Sequence, residues 1–297
     1  MASEPKFRTQ FDPRHGEAVE VAPGIVRVVA PNSSAYTFTG TNSYLVGRDR
    51  LLLVDPGPGE AKGPGHAEAL KRAVADRPVE AIIITHTHWD HTELAAAVAE
   101  QFGAPVTAFG PHIAARQLRP GESNPLASSN DYNLQIDRML AHGEIVGSDM
   151  YTLEAIHTPG HTENHICLAV RKRGAPTDFI LSGDHVMGWN TTIVAPVDGH
   201  MGHYIESLDH LLERPESTYF PGHGGRVEQA HTLVRAIRHH RIMRERAILE
   251  QAKKGNPDPH GIAAILYPNI APNLVGAAAL NVQAHLDHLV ETGRFQP

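Results

Sequence analysis

The sequence predicts an α/β protein in which two β-sheets pack face to face with helices outside, followed by a small helical domain. First, short apolar runs typical of strands alternate with amphipathic helical stretches through residues 1–230. Second, this region begins strand-rich, and the same format is repeated later within it. Third, residues 231–297 are mainly helical in pattern. We therefore predict two domains, at 1–230 and 231–297.

The predicted elements follow a polar leading segment that runs to about residue 19. Apolar or alternating runs predict strands, and residues 47–50 form the turn of a hairpin. The strands are expected at 25–30, 42–46, 51–54, 81–84, 106–109, 151–157, 166–170, 178–183 and 217–222. Helical periodicity predicts helices at 66–74 and 92–102, the second with Thr92 as a candidate N-cap.

The densest chemical signal is the segment 85–91, which directly follows the apolar run 81–84. It places His86, His88, Asp90 and His91 where a buried strand stops, on a loop held by a rigid element. A lone histidine would carry little weight in a chain with 21 of them. Zinc takes nitrogen and carboxylate ligands in roughly tetrahedral sites, so this spacing favours two half-built metal sites over one complete site.

Three later segments each bring one more ligand type in a repeated format. A short strand-like run ends in a glycine turn, and the ligand follows at once: His161, Asp184 and His223. Glycine lets the backbone turn sharply and approach an ion closely. The sequence therefore predicts that these side chains gather along one edge of a sheet structure.

This set of motifs resembles the metallo-β-lactamase superfamily of binuclear zinc hydrolases, over roughly residues 20–230. The resemblance implies an αββα sandwich of the metallo-β-lactamase type, with 1–230 as the catalytic domain. It also implies two Zn²⁺ ions, the first held by His86, His88 and His161 and the second by Asp90, His91 and His223, with Asp184 bridging them. Iron serves related oxidoreductases, but zinc is the expected metal here.

The resemblance makes Asp184 and Asp90 the candidate catalytic residues. Two zinc ions would lower the pKa of a bound water towards about 7, so a bridging hydroxide is the expected nucleophile. In similar proteins an aspartate at the position of Asp55 orients a metal-bound histidine, although a turn-forming role fits this residue equally. Thr92 and Glu93 stand where small residues or glycine are frequent in this superfamily. This difference affects the shape of the pocket floor and not the number of ligands.

Two further stretches are candidates for the substrate pocket. Trp189 offers a stacking face, and Thr191 and Thr192 offer hydroxyl groups to a phosphate or carboxylate. The alternative for this stretch is a strand with a packed tryptophan. Residues 117–137 form a long, poorly patterned segment rich in Pro, Gly and Ser, and we interpret it as a flap over the metal edge.

The C-terminal region carries eight basic against five acidic residues, whereas residues 1–230 carry 18 basic against 28 acidic. Its pattern predicts a long helix at 231–253 that ends at 255–257, helices at 261–266 and 273–291, and a strand or turn at 292–295. Arginines recur along the first helix, at Arg235, Arg238, Arg241, Arg244 and Arg246. Three helices and a rudimentary wing predict a winged-helix domain.

This tail, with its segments 241–246 and 281–286, resembles the lactamase-β-like protein 2 subfamily. That resemblance implies a zinc-dependent endoribonuclease acting on single-stranded RNA, and the tail favours this function most. Hydrolysis of thioesters, lactones or other activated acyl groups is the alternative, since related fungal enzymes are thioesterases. A binding protein with a structural zinc is a third hypothesis. The expected partners are RNA or a small acyl compound, and a second copy of the chain is a further candidate.

The composition is that of an ordinary folded protein, with 297 residues and 41% hydrophobic content. The single cysteine, Cys167, lies in an apolar run, which excludes an intrachain disulfide framework and zinc sites built from thiolates. No stretch approaches about 18 apolar residues, and the first residues lack the hydrophobic segment of a signal peptide. We therefore expect a cytoplasmic protein with no membrane partner.

Overall fold

Two β-sheets form the centre of the computed structural model, which describes residues 5–175, 179–255 and 258–296. The first sheet has seven strands in chain order: β1 (Val19–Ala22), β2 (Ile25–Val29), β3 (Asn42–Gly47), β4 (Leu51–Val54), β5 (Val79–Ile84), β6 (Val106–Ala108) and β7 (Arg138–Met139). Strands β1 to β4 pair antiparallel, and β4 to β7 pair parallel.

The second sheet has five strands: β8 (Ile145–Gly147), β9 (Tyr151–His157), β10 (Ile166–Lys172), β11 (Phe179–Gly183) and β12 (Thr218–Pro221). Their spatial order is β12-β11-β10-β9-β8, and only the β11–β12 pair is parallel. The helices are α1 (His66–Val74), α2 (Trp89–Thr92), α3 (Ala95–Phe102), α4 (Met201–Leu212), α5 (Ala230–Lys253), α6 (Pro259–Leu266) and α7 (Val275–Glu291).

The alternation of side chains along each strand produces three apolar layers. Leu52 and Ile83 point between the sheets, where they pack against Leu168 of β10. Their neighbours Leu53 and Ile82 point outward onto α1 and α3. On the far side, the second sheet packs against α4 and α5. The predicted αββα sandwich is therefore confirmed.

Most strand predictions are confirmed to within a residue or two, but strands β1, β7 and β8 and helix α4 were missed. The expected polar lead ends in strand β1, and α4 was not predicted at all. The apolar positions of α4 do recur at helical spacing, at Met201, Tyr204, Leu208 and Leu211, all of which are buried. Asp178, where the predicted strand 178–183 begins, lies outside the described residues.

The predicted helix at 92–102 is wrong at its start, and Thr92 is not an N-cap. The chain is helical from Trp89 to Thr92 and again from Ala95 to Phe102. The break occurs because Leu94 donates its backbone N–H to the carbonyl of Gly57, 3.1 Å away, instead of continuing the helical ladder. Asp90 and His91 are thereby held on a separate short helical turn.

The long helix α5 contributes to both predicted domains. Val234 and Ile237 pack beneath the second sheet, whereas Ile248 and Ala252 pack with α6 and α7. The predicted boundary at 230/231 falls at the start of this helix and stays a prediction. The predicted end of this helix at 255–257 agrees with the structure, in which α5 ends at Lys253 and Gly255 is no longer helical, while residues 256 and 257 lie outside the described residues.

The C-terminal helices agree with the prediction, and the expected wing is a turn. Asp258 caps α6 by accepting from the backbone N–H groups of His260 and Gly261. A 3₁₀ turn at Pro272–Leu274 precedes α7. Residues 292–296 form a turn and irregular chain without a strand. Among the described residues, no helix combines the length and apolarity needed to cross a membrane.

Truncating Leu168 tests the role of the layer between the sheets. Leu168 is 0% exposed and Leu118 is 51% exposed. We expect Leu168→Ala to lower the free energy of unfolding by about 2–5 kcal/mol, because it opens a cavity between two sheets. We expect Leu118→Ala to change it by less than about 0.5 kcal/mol. Denaturant unfolding measures both, and similar losses for the two variants would contradict this assignment of the core.

Candidate metal centre

All seven predicted ligand side chains lie together at one edge of the sandwich. The segment after β5 brings His86, His88, Asp90 and His91, the β9–β10 loop brings His161, and the ends of β11 and β12 bring Asp184 and His223. They form two groups: His86, His88, His161 and Asp184, and Asp90, His91 and His223. Within each group the candidate ligand atoms lie within 4.8 Å of one another.

Glycine is required beside two of these residues. A Cβ atom at Gly222 would lie 2.4 Å from Asp184 Oδ1 and 2.9 Å from a ring carbon of His91. At Gly160, φ is +130°, and a Cβ atom would lie 2.4 Å from the backbone of Tyr204. The glycine turns read from the sequence therefore permit the close approach of the chain to the site.

Three imidazole nitrogens of the first group converge on one point. His88 Nδ1 lies 3.0 Å from His86 Nε2 and 3.1 Å from His161 Nε2. Burial lowers the pKa of His88 to about 3, and it also lowers the pKa values of His86 and His161. Neutral imidazoles present lone pairs, which is the state that a metal ion requires.

A hydrogen-bond chain fixes the tautomer of His86. The Thr85 hydroxyl donates to Asp55 Oδ2 at 2.7 Å, because a carboxylate only accepts. His86 Nδ1, 3.0 Å from the same hydroxyl, must then donate to it. The proton of His86 therefore sits on Nδ1, and the lone pair of Nε2 faces the cluster.

The same logic fixes three further histidines. His91 Nδ1 donates to Asp55 Oδ2 at 2.9 Å, and His223 Nδ1 donates to the carbonyl of Gly40 at 3.2 Å. His161 Nδ1 donates to the carbonyl of Ile193 at 2.7 Å. In the neutral form of each ring, this acceptor keeps the proton on Nδ1 and leaves the lone pair of Nε2 facing the site, which is how outer hydrogen bonds orient metal ligands.

Asp184 lies between the two groups. Its Oδ2 is 3.2 Å from His223 Nε2 and 3.9 Å from His161 Nε2, and its Oδ1 is 3.5 Å from His91 Nε2. Asp90 Oδ2 is 3.4 Å from both His91 Nε2 and His223 Nε2. One carboxylate therefore reaches both groups, as a bridging ligand must.

The electrostatics of the site favour a bound cation. Burial lowers the pKa of His91, but Asp90, Asp184 and Asp55 outweigh it and raise that pKa well above its ordinary value. The buried atoms His91 Nε2 and Asp184 Oδ1, which face the site, have no hydrogen-bond partner. Imidazole nitrogens and carboxylate oxygens are ligands that zinc accepts, so the residues present fit the expected metal.

Three further residues support the ligands, and only Asp55 was singled out for this role in the sequence. Thr41 donates its hydroxyl to Asp90 Oδ2 at 2.8 Å, and no local pattern marks this threonine. Asp55 contacts His91, which supports its orienting role over the turn-forming alternative. His165 accepts the backbone N–H of Asp184 at 3.2 Å, so it holds the main chain of that residue.

The candidate substrate residues line a cleft of about 960 Å³ that opens over the two groups. Residues 188–194 are irregular chain and not a strand. Trp189 is half-buried and stacks on Phe38, with ring centroids 4.9 Å apart. Thr192 is buried, and its hydroxyl lies 3.2 Å from His161 Nδ1, whereas the neighbouring Thr191 is half-buried.

The segment 117–137 forms part of the cleft wall. Leu126, Ser128 and Ser129 line the cleft. The segment is fixed because Asn124 and Asn130 donate to the buried carboxylate of Asp198 at 2.8–2.9 Å. The expected flap is therefore anchored at both of these asparagines.

A third group of potential ligands, His200, His288 and Glu291, lies away from this edge. His200 Nδ1 accepts the backbone N–H of His203, so the proton of a neutral His200 sits on Nε2. That nitrogen donates to Glu291 at 2.7 Å. The contact is therefore a histidine–glutamate hydrogen bond that joins α4 to α7.

Comparison with known proteins agrees with this geometry. A family model described as "Metallo-beta-lactamase superfamily" matches residues 36–223. The chain belongs to the metallo-beta-lactamase superfamily, whose members are generally hydrolases. A second model, "Beta-lactamase associated winged helix domain", matches residues 259–296 and confirms the predicted C-terminal fold.

Individual relatives cover most of the chain. A protein from Drosophila melanogaster named "Beta-lactamase-like protein 2 homolog" is 27% identical over 92% of this chain and 89% of its own length. An "Atrochrysone carboxyl ACP thioesterase" from Aspergillus chevalieri is 27% identical over 88% of this chain and 76% of its own length. The subfamily resemblance noted in the sequence is confirmed.

Solved structures show the same fold. A beta-lactamase domain protein from Burkholderia ambifaria has a TM-score of 0.75 at 21% identity, covering 95% of this chain and 90% of its own. A metallo-beta-lactamase family protein from Thermus thermophilus has a TM-score of 0.71 at 21% identity, covering 92% of this chain and 95% of its own.

Replacing Asp55 tests whether the outer hydrogen bonds prepare the ligands. In Asp55→Asn, an amide NH₂ group would replace one carboxylate oxygen. It would then face hydrogen-bond donors, from which that oxygen now accepts. We expect zinc affinity to fall about 10–100-fold, the usual scale for such partners. Competition with a chromophoric chelator measures this affinity.

Glu216→Gln serves as the matched control, because Glu216 is fully buried and pairs with Arg214 away from the cluster. Its zinc affinity should equal that of the wild type. Equal affinities in all three proteins would contradict the role assigned to Asp55.

Proposed function

We propose that this protein is a zinc-dependent hydrolase of thioesters or similarly activated acyl compounds. The observation that carries the proposal is the character of the cleft over the candidate ligands. The volume of about 960 Å³ suits a compact organic substrate. Apolar atoms make up most of the surface of its wall, with contributions from side chains such as Met187, Trp189, Ile193, Ile270 and Leu274.

The C-terminal domain supports this proposal because it closes one side of the cleft. His240 and Arg241 of α5, Tyr267 after α6, and Ala278 and Asn281 of α7 all line it. A wall of this kind suits the binding of an acyl group with the reacting carbonyl near Asp90 and Asp184.

The arginines that favoured RNA in the sequence are largely used inside the protein. Arg238 forms an ion pair with Asp209, and Arg241 is buried. Arg244 lies over the ring of Tyr267, 4.6 Å from its centroid. Strong nucleic-acid binding needs several unpaired basic side chains along a surface. These arginines therefore support RNA binding less than their spacing in the sequence suggested.

The relatives named atrochrysone carboxyl ACP thioesterase, from Aspergillus chevalieri and Claviceps purpurea, lend further support. At 27% and 25% identity they supply the reaction class for the proposal and no particular substrate. An acyl compound, free or attached to a carrier, is therefore the partner that we propose.

In the proposed reaction, one zinc ion would be held by His86, His88 and His161 and the other by Asp90, His91 and His223, with Asp184 shared between the two groups. The two ions would lower the pKa of a water molecule towards about 7 and polarise the acyl carbonyl. The water oxygen adds to the acyl carbon, the C–S bond breaks, and the departing thiolate takes up the proton that the water gives up.

The protein's own groups orient and move that proton. Asp184 Oδ1 is buried without a partner and is placed to accept a hydrogen bond from the attacking water. The side chain of Asp90 is 23% exposed, so it faces the cleft and can carry the proton towards the leaving group. Trp189 and Met187 exclude bulk water from this side.

Hydrolysis of single-stranded RNA is the second candidate. Tyr36, Trp89 and Tyr267 are partly exposed and line the cleft, and aromatic faces of this kind stack with unpaired bases. Strong RNA binding would also require a dense basic surface. The pairing or burial of Arg238, Arg241 and Arg244 therefore weighs against this second candidate.

A direct comparison of substrates tests the proposal. Zinc-loaded protein is assayed with an aryl-acyl N-acetylcysteamine thioester and with a labelled unstructured RNA. We expect thioester hydrolysis that falls by at least about 100-fold in Asp184→Asn, because the carboxylate that reaches both groups and orients the attacking water is lost.

Asp209→Asn is the matched control, since Asp209 pairs with Arg238 on the surface of α4. It should retain wild-type turnover. RNA cleavage that needs Asp184, with the thioester left intact, would favour the second candidate and overturn the first. Stoichiometric zinc without turnover of either substrate would support the binding-protein hypothesis.

A further inference from the structure

We propose that Arg241 and Asn281, two residues of the C-terminal region, are positioning residues for the metal ligand His161. They act through the irregular segment 192–194, and the inference rests on the metal centre of the proposed function. It does not depend on which substrate is cleaved. It gives the C-terminal region a role in metal binding in addition to its role as a cleft wall.

The peptide unit between Ile193 and Val194 is the centre of this connection. Its carbonyl accepts the proton of His161 Nδ1 at 2.7 Å. Its N–H group donates to Asn281 Oδ1 at 3.1 Å. Because both groups belong to one rigid peptide plane, Asn281 fixes the direction in which the carbonyl points towards His161. Hydrogen bonding at the N–H also polarises the carbonyl and strengthens it as an acceptor.

Arg241 holds the preceding peptide of the same segment. Its guanidinium donates to the carbonyl of Thr192 and, at 2.9 Å, to Asn281 Oδ1. The Thr192 side chain in turn places its hydroxyl 3.2 Å from His161 Nδ1. Two consecutive peptides of this segment are therefore held by the same pair of side chains, and one of them contacts His161 through its carbonyl.

The environment of Arg241 indicates that its place is specific. The residue is 3% exposed and has no carboxylate partner among the described residues, and its Nε atom is unpaired. Its guanidinium lies 5.3 Å from the ring centroid of Tyr204. Burying a cation without a counter-ion is costly, so its hydrogen bonds to Thr192 and Asn281 are what compensate it.

The structure therefore predicts that the two zinc sites respond differently to a change at Asn281. His161 belongs to the first group of ligands, whereas Asp90, His91 and His223 have their own supports in Thr41, Asp55 and Gly40. Disturbing Asn281 should therefore weaken the first zinc site and leave the second unchanged.

Zinc titration of Asn281→Leu tests this inference. The substitution keeps a similar volume and removes the acceptor. Chelator competition on the metal-free protein should resolve two binding steps, and His161→Gln and His223→Gln identify which step belongs to which group. We expect the His161 step to weaken about 10–100-fold in Asn281→Leu, with the other step unchanged.

Asn281→Asp keeps an acceptor oxygen and should restore affinity to near the wild-type value. Gln283→Leu is the matched control on α7, because the Gln283 side chain, among the described residues, bonds only to Asp287, one turn further along the helix. If Asn281→Leu does not fold, Asn281→Ser gives the same test with a side chain too short to hold both partners.

Two results would overturn the inference. One is a folded Asn281→Leu protein with both zinc steps unchanged. The other is an equal loss of affinity in Gln283→Leu, which would indicate general destabilisation. The readout is zinc affinity, so failure of thioester hydrolysis would leave this inference standing, and failure here would leave the proposed reaction standing.

Discussion

The placement of the proton on four of the five ligand histidines is the constraint on which the candidate metal centre depends. A buried imidazole presents a fixed lone pair to an ion when its other nitrogen has an acceptor for the N–H. The fold supplies those acceptors from strand ends and loops: Asp55 for His91, the Thr85 hydroxyl for His86, and the carbonyls of Gly40 and Ile193 for His223 and His161. The sandwich therefore determines the protonation pattern as well as the positions of the ligands.

These acceptors come from widely separated parts of the chain, which explains why two sheets and a C-terminal region are needed. Asp55 follows β4, and Thr85 follows β5, the neighbouring parallel strand. Gly40 precedes β3, whereas the peptide after Ile193 is held by α7. The C-terminal region thus has two links with the site: it lines the cleft, and it holds the segment beside His161.

Much of the site could be predicted from the sequence, because its candidate ligands follow recognisable local patterns. The cluster after β5 and the three glycine turns were enough to predict which seven side chains would lie together. The supporting contacts could not be predicted from the sequence, because Thr41 and Asn281 meet their partners only through the tertiary fold. The helix prediction at 92–102 failed for the same reason, because the contact between Leu94 and Gly57 overrides local periodicity. Helix α4 was missed even though its apolar spacing was present.

The side-chain contacts favour an acyl substrate, whereas the sequence pattern favoured single-stranded RNA. Arginines spaced along one helix resemble a basic surface, but spacing does not reveal which of them are paired or buried. Arg238, Arg241 and Arg244 each have a partner within the protein. What remains at the cleft is a mainly apolar wall, and that observation underlies the proposal of an acyl substrate.

X-ray anomalous scattering at the zinc edge, recorded from crystals of zinc-loaded protein, tests the central claim most directly. We expect two zinc ions per chain, one among His86, His88 and His161 and one among Asp90, His91 and His223, with Asp184 in contact with both. A single ion at this edge, or zinc bound only elsewhere, such as beside His200 and His288, would contradict the proposed centre.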